Sequence, residues 1–372
     1  MLTVLYVTES IAPYVIGGMQ TVARRHIQYL KDDGHDVIAL HSRVPSGALG
    51  HINDSALNLL PWPGENRKWR YPGQYALELR KYSQEVLKWV SRVSPDVVYA
   101  EGPVVDALFS LSERPPIIFH PHGLEVYQQY SSWGDFIRLF LLKQLIKKHC
   151  RQADYAISQG GQLTRILVKR AGVPKSRIRF VPNTFDEYIS EPNTKSTELS
   201  LLFVGRGEKR KGLSLLLDVA PDFPELRFDV AGSHLIPTGL PKNVRVHGMI
   251  NDKDKLTGLY RKAHFFVLPT LAEGMPTVIL EAMSQGTPVI ASDVGAIAEL
   301  VINGETGWCI GAGSKSELRR AISEALSMRK QEYQKMSQNC VKLLKEKFSG
   351  KVVRAKLNNL IKEAAAITSC KS

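Results

Sequence analysis

Short β-branched runs alternate with longer segments of helical period along the whole chain, the pattern of parallel sheets covered by helices on both faces. In the first half this predicts strands at 2–8, 36–41, 96–100, 116–120, 154–158 and 178–181, with helices at 18–33, 73–93, 134–152 and 160–171. In the second half it predicts strands at 199–205, 227–232, 264–269 and 288–292 and helices at 212–220, 276–285, 293–302 and 315–329, with helical period resuming from 331 to the tail. Residues 184–198, TFDEYISEPNTKSTE, follow neither period and separate the halves. The expected fold is α/β, two Rossmann-like doubly wound domains facing across a cleft. The first covers 1–185, a linker 186–198 and the second 199–350, while a closing helix at 351–372 packs back on the first domain or serves an interface. In such sheets ligands bind at the carboxyl ends of the strands, where loops lead into helix N-termini.

A chain of 372 residues has the length of two domains, and 44% hydrophobic with 23% charged residues excludes wholesale disorder. The 49 Lys+Arg against 36 Asp+Glu give +13, of which +8 falls in residues 1–185. That field draws anions: nucleotides, nucleic acid or an acidic membrane surface. The four cysteines, Cys150, Cys309, Cys340 and Cys370, are widely spaced with no CxxC, so zinc is not expected and a reducing cytoplasm is. The start MLTVLYVTE lacks the basic n-region and small-residue cleavage pattern of a secreted chain. Arg138 and Lys143 interrupt the most apolar helix candidate, so any membrane contact is expected to be peripheral.

The densest candidate chemistry is the block Glu273-Gly274-Met275-Pro276-Thr277-Val278-Ile279-Leu280-Glu281. Pro276 suits a helix start, where its missing N–H costs nothing. The Thr277 and Val278 amides then head the helix, a setting that favours phosphate. Eight residues are a little over two turns, so the two carboxylates are expected at different heights along one helix, gripping separate parts of a long ligand. Taken alone, a loop Glu and a helix Glu are more often surface residues. A second block, Phe203-Val204-Gly205-Arg206-Gly207-Glu208-Lys209-Arg210-Lys211-Gly212, ends a strand in a glycine turn with four cations. Arg206 can fork onto phosphate oxygens and Lys211 add a point charge, although such a loop can equally be a solvated face.

Gly17-Gly18 opens the first helix without the third glycine of a dinucleotide fingerprint, which disfavours a nicotinamide site. His120-Pro121-His122-Gly123 ends a strand, where a histidine is commonly a structural hydrogen-bonder. Glu125 and Ser158 are polar residues of the kind that cap turns.

The first of these blocks continues into Gly286-Thr287-Pro288-Val289-Ile290-Ala291-Ser292, Gly295, Glu299 and Asn303-Gly304-x-x-Gly307. With this run the chain resembles the family-4 glycosyltransferases of the GT-B fold, whose hallmark is the E-x7-E block. The resemblance spans essentially the full length and is densest from 201 to 310. It implies that Arg206 and Lys211 hold the donor's diphosphate, with Gly205 admitting the ligand and the Gly17-Gly18 loop facing the phosphates. It also implies that Glu281 binds the ribose hydroxyls, that Glu273 and the Gly274-Met275 amides hold the donor sugar, and that the nucleobase lies near Gly248-Met249-Ile250. His122 matches the family's His-Gly position beside donor sugar and acceptor; His120 is left as structural. The implied catalytic set is His122, Glu273, Arg206 and Lys211, with no metal or other cofactor, and with transfer that keeps the donor's α configuration without a covalent bond to Glu273. One departure is Asn183-Thr184-Phe185-Asp186, where the family has Asn-Gly-x-Asp, so a different turn is expected at the hinge.

Residues 133–151 place Phe136, Ile137, Phe140, Leu141, Leu145 and Ile146 beside Arg138, Lys143, Lys147, Lys148 and Arg151, with no acidic residue from 136 to 151. Docking on an anionic bilayer and an ordinary core-facing helix with a solvated basic side fit this pattern equally.

The expected function is transfer of a hexose-type sugar from a nucleotide-sugar donor, UDP being the commonest, to a hydroxyl of a saccharide or lipid-linked acceptor of the cell envelope. Two rivals are a nucleotide-sugar epimerase of the same fold and a non-enzymatic basic protein that binds nucleic acid or membrane. Nucleic acid is disfavoured, since no interleaved aromatic and basic motif appears and the cations are spread over both halves.

Overall fold

The computed structural model describes residues 1–12, 14, 15, 17–41, 57–59, 73–128, 133–185, 195–232 and 239–369. The chain forms two compact units. One comprises Met1–Gln159, Leu163–Pro182 and Lys351–Ser372; the other comprises Gly160–Gln162 and Asn183–Gly350. Most of the expected linker, 186–194, lies outside the described residues.

The first unit runs β1 (Thr3–Val7), α1 (Gly18–Asp32), β2 (Asp36–His41), β3 (Leu57–Leu59), α2 (Gln74–Val93), β4 (Val97–Glu101), β5 (Ile117–His120), α3 (Trp133–Gln152), β6 (Tyr155–Ser158), α4 (Gly161–Ile166, whose first two residues cluster with the other unit) and β7 (Ile178–Phe180). Its seven strands are all parallel in the order β3-β2-β1-β4-β5-β6-β7. The order reverses between β1 and β4, which places the crevice of this sheet at their carboxyl ends.

The second unit runs β8 (Ser200–Val204), α5 (Leu213–Val219), β9 (Arg227–Ala231), β10 (Val244–Gly248), α6 (Lys253–Lys262), β11 (Phe265–Leu268), α7 (Thr277–Ser284), β12 (Val289–Ser292), β13 (Gly307–Ile310), α8 (Lys315–Leu326) and α9 (Lys330–Leu343). Its six parallel strands lie in the order β10-β9-β8-β11-β12-β13, so the reversal falls between β8 and β11. The central strands are buried on both faces, which is why SLLFV and FFVL read as unbroken apolar runs.

The closing helix α10 (Gly350–Ser369) belongs to the first unit from Lys351 onward. Val353, Leu357, Leu360, Ile361 and Ala364, at the i, i+4 spacing of one helix face, enter a core with Val4, Tyr6, Ile27 and Val97. Arg354 pairs with Asp33 at 2.7 Å and Glu363 with Arg179 at its rim.

Three expectations are corrected. The helix expected at 293–302 is a single turn, Ile297–Glu299, because Gly295 takes a left-handed φ of +58° that a helix cannot continue through. The helical run from 331 onward is interrupted by a wide turn at Leu344–Phe348 and by an extended Ser349 that bridges Phe185. Helix 160–171 likewise ends in a wide turn, Leu167–Ala171, stopped by left-handed Gly172. Four elements went unpredicted, β3, β10, α6 and β13; β10 is an edge strand whose residues are half-buried or exposed, so VRVHG lacks an apolar run.

Candidate functional site

In the second unit the chain leaves β8 through Gly205, whose N–H donates to the Ala231 carbonyl at 3.0 Å. After Lys209–Lys211 comes Gly212 at φ +78°, where a Cβ would lie 1.9 Å from the Pro269 carbonyl oxygen. Only glycine lets this loop lie against the end of β11. Arg210 stitches the two loops together. Its carbonyl accepts from Leu271 N at 2.7 Å and Thr270 Oγ1 at 2.8 Å, and its Nη1 donates to the Ala272 carbonyl at 3.0 Å.

Between these loops lies an ionic ladder. Lys211 Nζ meets Glu273 Oε1 at 2.6 Å, and the single Thr270 hydroxyl proton is shared between that oxygen at 3.1 Å and the Arg210 carbonyl at 2.8 Å. Arg210 Nη1 stands 3.9 Å from Glu273 Oε2, and its Nε pairs with Glu208 at 2.7 Å. Glu208 in turn pairs with Arg206 Nη2 at 3.0 Å. The Arg206 side chain is 69% exposed, so its guanidinium can swing to an incoming anion, whereas Glu273 is buried and its partner Lys211 largely so.

Glu273 sits in the turn ahead of α7, whose cap is Pro276, and Glu281 lies in the body of α7, as the Gly-x-Pro turn and a helix start at Pro276 lead one to expect. Gly295 holds that turn: a Cβ there would lie 2.2 Å from the Glu273 carbonyl oxygen, and the next amide, Ala296 N, donates to Gly274 O at 2.9 Å. Asn183 Nδ2 donates to the Met275 carbonyl at 2.7 Å. Met275 and Pro276 are buried, while Gly274, Thr277 and Val278 are half-buried at the head of α7. Glu281 accepts from the Tyr260 hydroxyl at 2.8 Å, which fixes a half-buried carboxylate that composition alone would leave on the surface. Gly248 ends β10 and Met249 and Ile250 follow it, with Gly248 O accepting from Gly232 N at 2.7 Å and Met249 exposed.

The remaining expected residues lie in the first unit. Gly17 caps α1, its carbonyl accepting from Thr21 N at 3.0 Å, and Gly18 begins the helix. His122 follows β5 with a left-handed φ of +55°, which is uncommon for a residue with a Cβ. Its ring stacks on His120 at 4.0 Å, and its Nε2 lies 3.7 Å from Glu101 Oε2.

Sequence reasoning missed the cluster behind it. Register pairs Glu101 with His120 and Tyr6 with Tyr99 on adjacent strands. The Tyr6 hydroxyl donates to Glu101 Oε1 at 2.5 Å, and the Tyr99 hydroxyl lies 3.3 Å from His26 Nδ1 and 3.1 Å from His120 Nδ1. Burial is the largest influence on Glu101 and opposes its charge, but His122, His26 and Tyr6 together outweigh it and hold the carboxyl below its usual range. Burial, then His122 and His26, keep the His120 ring neutral. Burial, with Glu101, also keeps both phenols protonated. His26, Glu101 and His120 could offer a cation three atoms within 4.8 Å of one another, but the Tyr6 and Tyr99 hydroxyls already bond to this trio, and a metal would have to displace them. The available signal was Glu101 itself, a carboxylate closing the apolar run Val97–Ala100.

The basic helix α3 is less available than its sequence implied. Lys148 pairs with Asp106 at 2.8 Å, Lys143 stacks over Tyr127 at 5.0 Å, and Arg151 Nε donates to the Ala171 carbonyl at 2.8 Å. Lys147 is half-buried, and the Arg138 side chain lies outside the described residues. Phe140 and Leu141 are each 49% exposed. Ser158 bonds Thr164 at 2.7 Å, and Glu125 opens a short turn. Thr184, at the departure from the glycine pattern, is fully buried and donates to the Phe348 carbonyl at 2.9 Å, so the hydroxyl ties this turn to the returning chain. Among the described residues no helix is long and apolar enough to cross a membrane.

Two family profiles match in tandem: Glycosyltransferase Family 4 over residues 16–187 and Glycosyl transferases group 1 over residues 184–342. The sulfoquinovosyl transferase SQD2 of Arabidopsis thaliana is 25% identical over 343 residues, covering 83% of this chain and 63% of that protein, so the chain spans less than two thirds of this relative's length. Among solved structures, sucrose-phosphate synthase from Thermosynechococcus elongatus superposes with a TM-score of 0.83 at 18% identity, covering 99% of this chain and 100% of that one. Anabaena HepE in complex with UDP-glucose superposes with a TM-score of 0.71 at 18% identity, covering 98% and 100%. At such identities the superpositions speak for the fold. Taken with the paired profiles and the E-x7-E turn seated behind β8 and β11, they establish that the chain belongs to the family-4 glycosyltransferases of the GT-B fold.

Proposed function

We propose that the protein transfers a hexose-type sugar from a UDP-sugar to a hydroxyl of a saccharide or lipid-linked acceptor in cell-envelope polysaccharide or glycolipid synthesis, with retention of configuration and without a metal. The observation that carries this reading is the largely buried Lys211–Glu273 pair beside an exposed Arg206 at the reversal of the second sheet, where a diphosphate and its sugar would meet cation and carboxylate together. That HepE was solved with UDP-glucose supports the choice of donor.

In the proposed reaction the anomeric carbon–phosphate oxygen bond breaks, the acceptor oxygen bonds to the same face of that carbon, and the acceptor's proton passes to the departing diphosphate. Negative charge grows on the diphosphate as the bond breaks. Arg206, released from Glu208, and the amides heading α7 then act more strongly on the transition state than on bound donor, which is what lowers the barrier. Glu273, fixed by Lys211 and Thr270, accepts from sugar hydroxyls; Glu281, fixed by Tyr260, accepts from the ribose. We assign His122, braced by Glu101, a role in the transfer step, as the family's His-Gly position implies. We place the acceptor at an anionic membrane surface, reached through exposed Phe140 and Leu141 beside Lys147.

Thermal-shift titration with UDP-, GDP- and ADP-sugars is the first test, since a ligand of the native state raises its melting temperature. UDP-sugars should stabilise the wild type and not Glu281→Ala. NMR of the product should give an α linkage, and nucleotide release should require acceptor; a β linkage refutes retention, and sugar conversion without acceptor favours epimerisation. Phe140→Ser with Leu141→Ser should abolish sedimentation with anionic liposomes, and unchanged sedimentation refutes the membrane assignment.

A further inference from the structure

A cavity of about 850 Å³ opens in the second unit at the amino ends of its strands. It lies against Leu199, just ahead of β8, and Phe265, which begins β11, while the candidate donor site uses the carboxyl ends of the same strands. At about 3.3 Å per residue the two regions are roughly 15 Å apart. Part of its lining is apolar: Leu199, Phe265, Leu326 and Met328. The lining also offers lysines, glutamines and His264, and among the described residues no carboxylate lines the cavity.

Lys195 Nζ donates to Thr287 Oγ1 at 2.9 Å, and that hydroxyl passes its own proton to the Tyr260 carbonyl at 2.8 Å, so the oxygen's role is fixed as acceptor. An ammonium has three donors, and Thr287 takes one. His264 Nδ1 accepts from Ser200 N at 3.3 Å, which leaves the ring proton on Nε2. Tyr333 closes the side by donating to the His264 carbonyl at 3.0 Å.

We propose that this cavity is a second ligand site, separate from the donor site, which takes a small amphiphilic organic anion. Its carboxylate or phosphate is held by Lys195 and Lys330, and its apolar body lies on Leu199, Phe265 and Leu326. The assignment does not depend on the transfer reaction. Burial supports it by holding Lys195 down to about 8, so a desolvated cation awaits a counter-charge. The groups that face it are the Cys340 thiol, pushed up by burial, and the His264 ring, pushed down to about 4 by burial, Lys195 and Arg227. Neither changes charge between pH 7 and 9.5, and burial keeps the Tyr333 phenol protonated there.

The test is calorimetric titration of the full chain with 4-phenylbutyrate and with uncharged 4-phenylbutanol. The anion should bind at pH 7 and weaken about tenfold or more at pH 9.5, as Lys195 loses its proton, while the alcohol should bind poorly at both. Lys195→Met removes a charge-assisted hydrogen bond to the anion and should weaken its binding by about 10–100-fold. Lys330→Glu, on the surface, should weaken it without disturbing the fold. Equal binding of acid and alcohol, a pH-independent affinity in the wild type, or full affinity in folded Lys330→Glu each overturns the proposal.

Discussion

Replacing Lys211 by Met isolates what the ammonium does for Glu273. Both side chains are largely buried, 15% and 7% exposed, so solvent screens the pair little. Breaking a buried pair by removing one partner is strongly destabilising, about 3–5 kcal/mol, because a carboxylate is left buried without its counter-ion. Here the lower end applies, about 3 kcal/mol, since the Thr270 hydroxyl at 3.1 Å and Arg210 at 3.9 Å remain. At about 2–4 °C per kcal/mol for a unit of this size, the second unit should melt roughly 6–12 °C lower. Trp308 on β13 is the sole tryptophan between residues 183 and 350 and packs edge-on to Phe265, so its 19F resonance after 5-fluorotryptophan labelling reports this unit in a urea titration. Lys211→Met with Glu273→Gln removes the stranded charge and should recover at least half of the loss. Wild-type stability in the single variant, or a double variant less stable than the single, refutes the assignment of the pair as a buried charge-compensated unit.

On the proposed donor assignment, Tyr260→Phe should weaken UDP binding several-fold by removing the hydroxyl that orients Glu281, and Glu281→Ala should abolish it; equal effects in calorimetry would mean that Tyr260 does more than orient the carboxylate. Gly295→Ala meets a left-handed φ and the Glu273 carbonyl at 2.2 Å, so transfer activity should fall sharply and stability by about 1–3 kcal/mol or more, read by product formation and urea unfolding. Acid should destabilise the first unit between pH 6.5 and 4. There burial holds folded His149 and His41 near 4 while the unfolded rings protonate near 6.5, so their contribution is full above 6.5 and is lost as pH falls. Each such histidine can cost up to about 1.4 kcal/mol per pH unit, and a flat stability profile over that window would contradict it. Glu101 adds a loss in the same direction below the ordinary carboxyl range, because its charged form is the one the fold favours.

The parallel sheets were legible because strands buried on both faces leave long apolar runs such as VLYV and SLLFV, and the E-x7-E and glycine loops stood out by their turn residues. Edge strand β10 was not, because half-exposed Val244 and Val246 alternate with Arg245 and His247. Helix α6 was missed because KDKLTGLYRK buries only Tyr260, although Asp252 caps it through the amides of Asp254 and Lys255. The single turn at 297–299 shows how a glycine constrained by the backbone of a distant turn overrides local helical period. In the candidate sites, the family resemblance marked Arg206, Lys211 and Glu273, but nothing in the sequence marked the hydrogen bonds that join them. Arg210 was hidden in a basic run, and Tyr6, Tyr99 and His26 occupy positions that a core fills with any large side chain. Their meeting depends on strand register, which no local pattern encodes.

The return of α10 to the first unit sets an order on synthesis. A ribosome delivers β1 to β7 first, yet the apolar surface that Val353, Leu357, Leu360, Ile361 and Ala364 cover stays open until roughly 170 residues later. At ordinary elongation rates that delay is about 10–30 s. The second unit, nearly continuous from 183 to 350, emerges complete in the meantime. The half made first is therefore finished last, and during that interval its uncovered face is the place where a nascent chain would meet chaperones or other unfinished copies of itself.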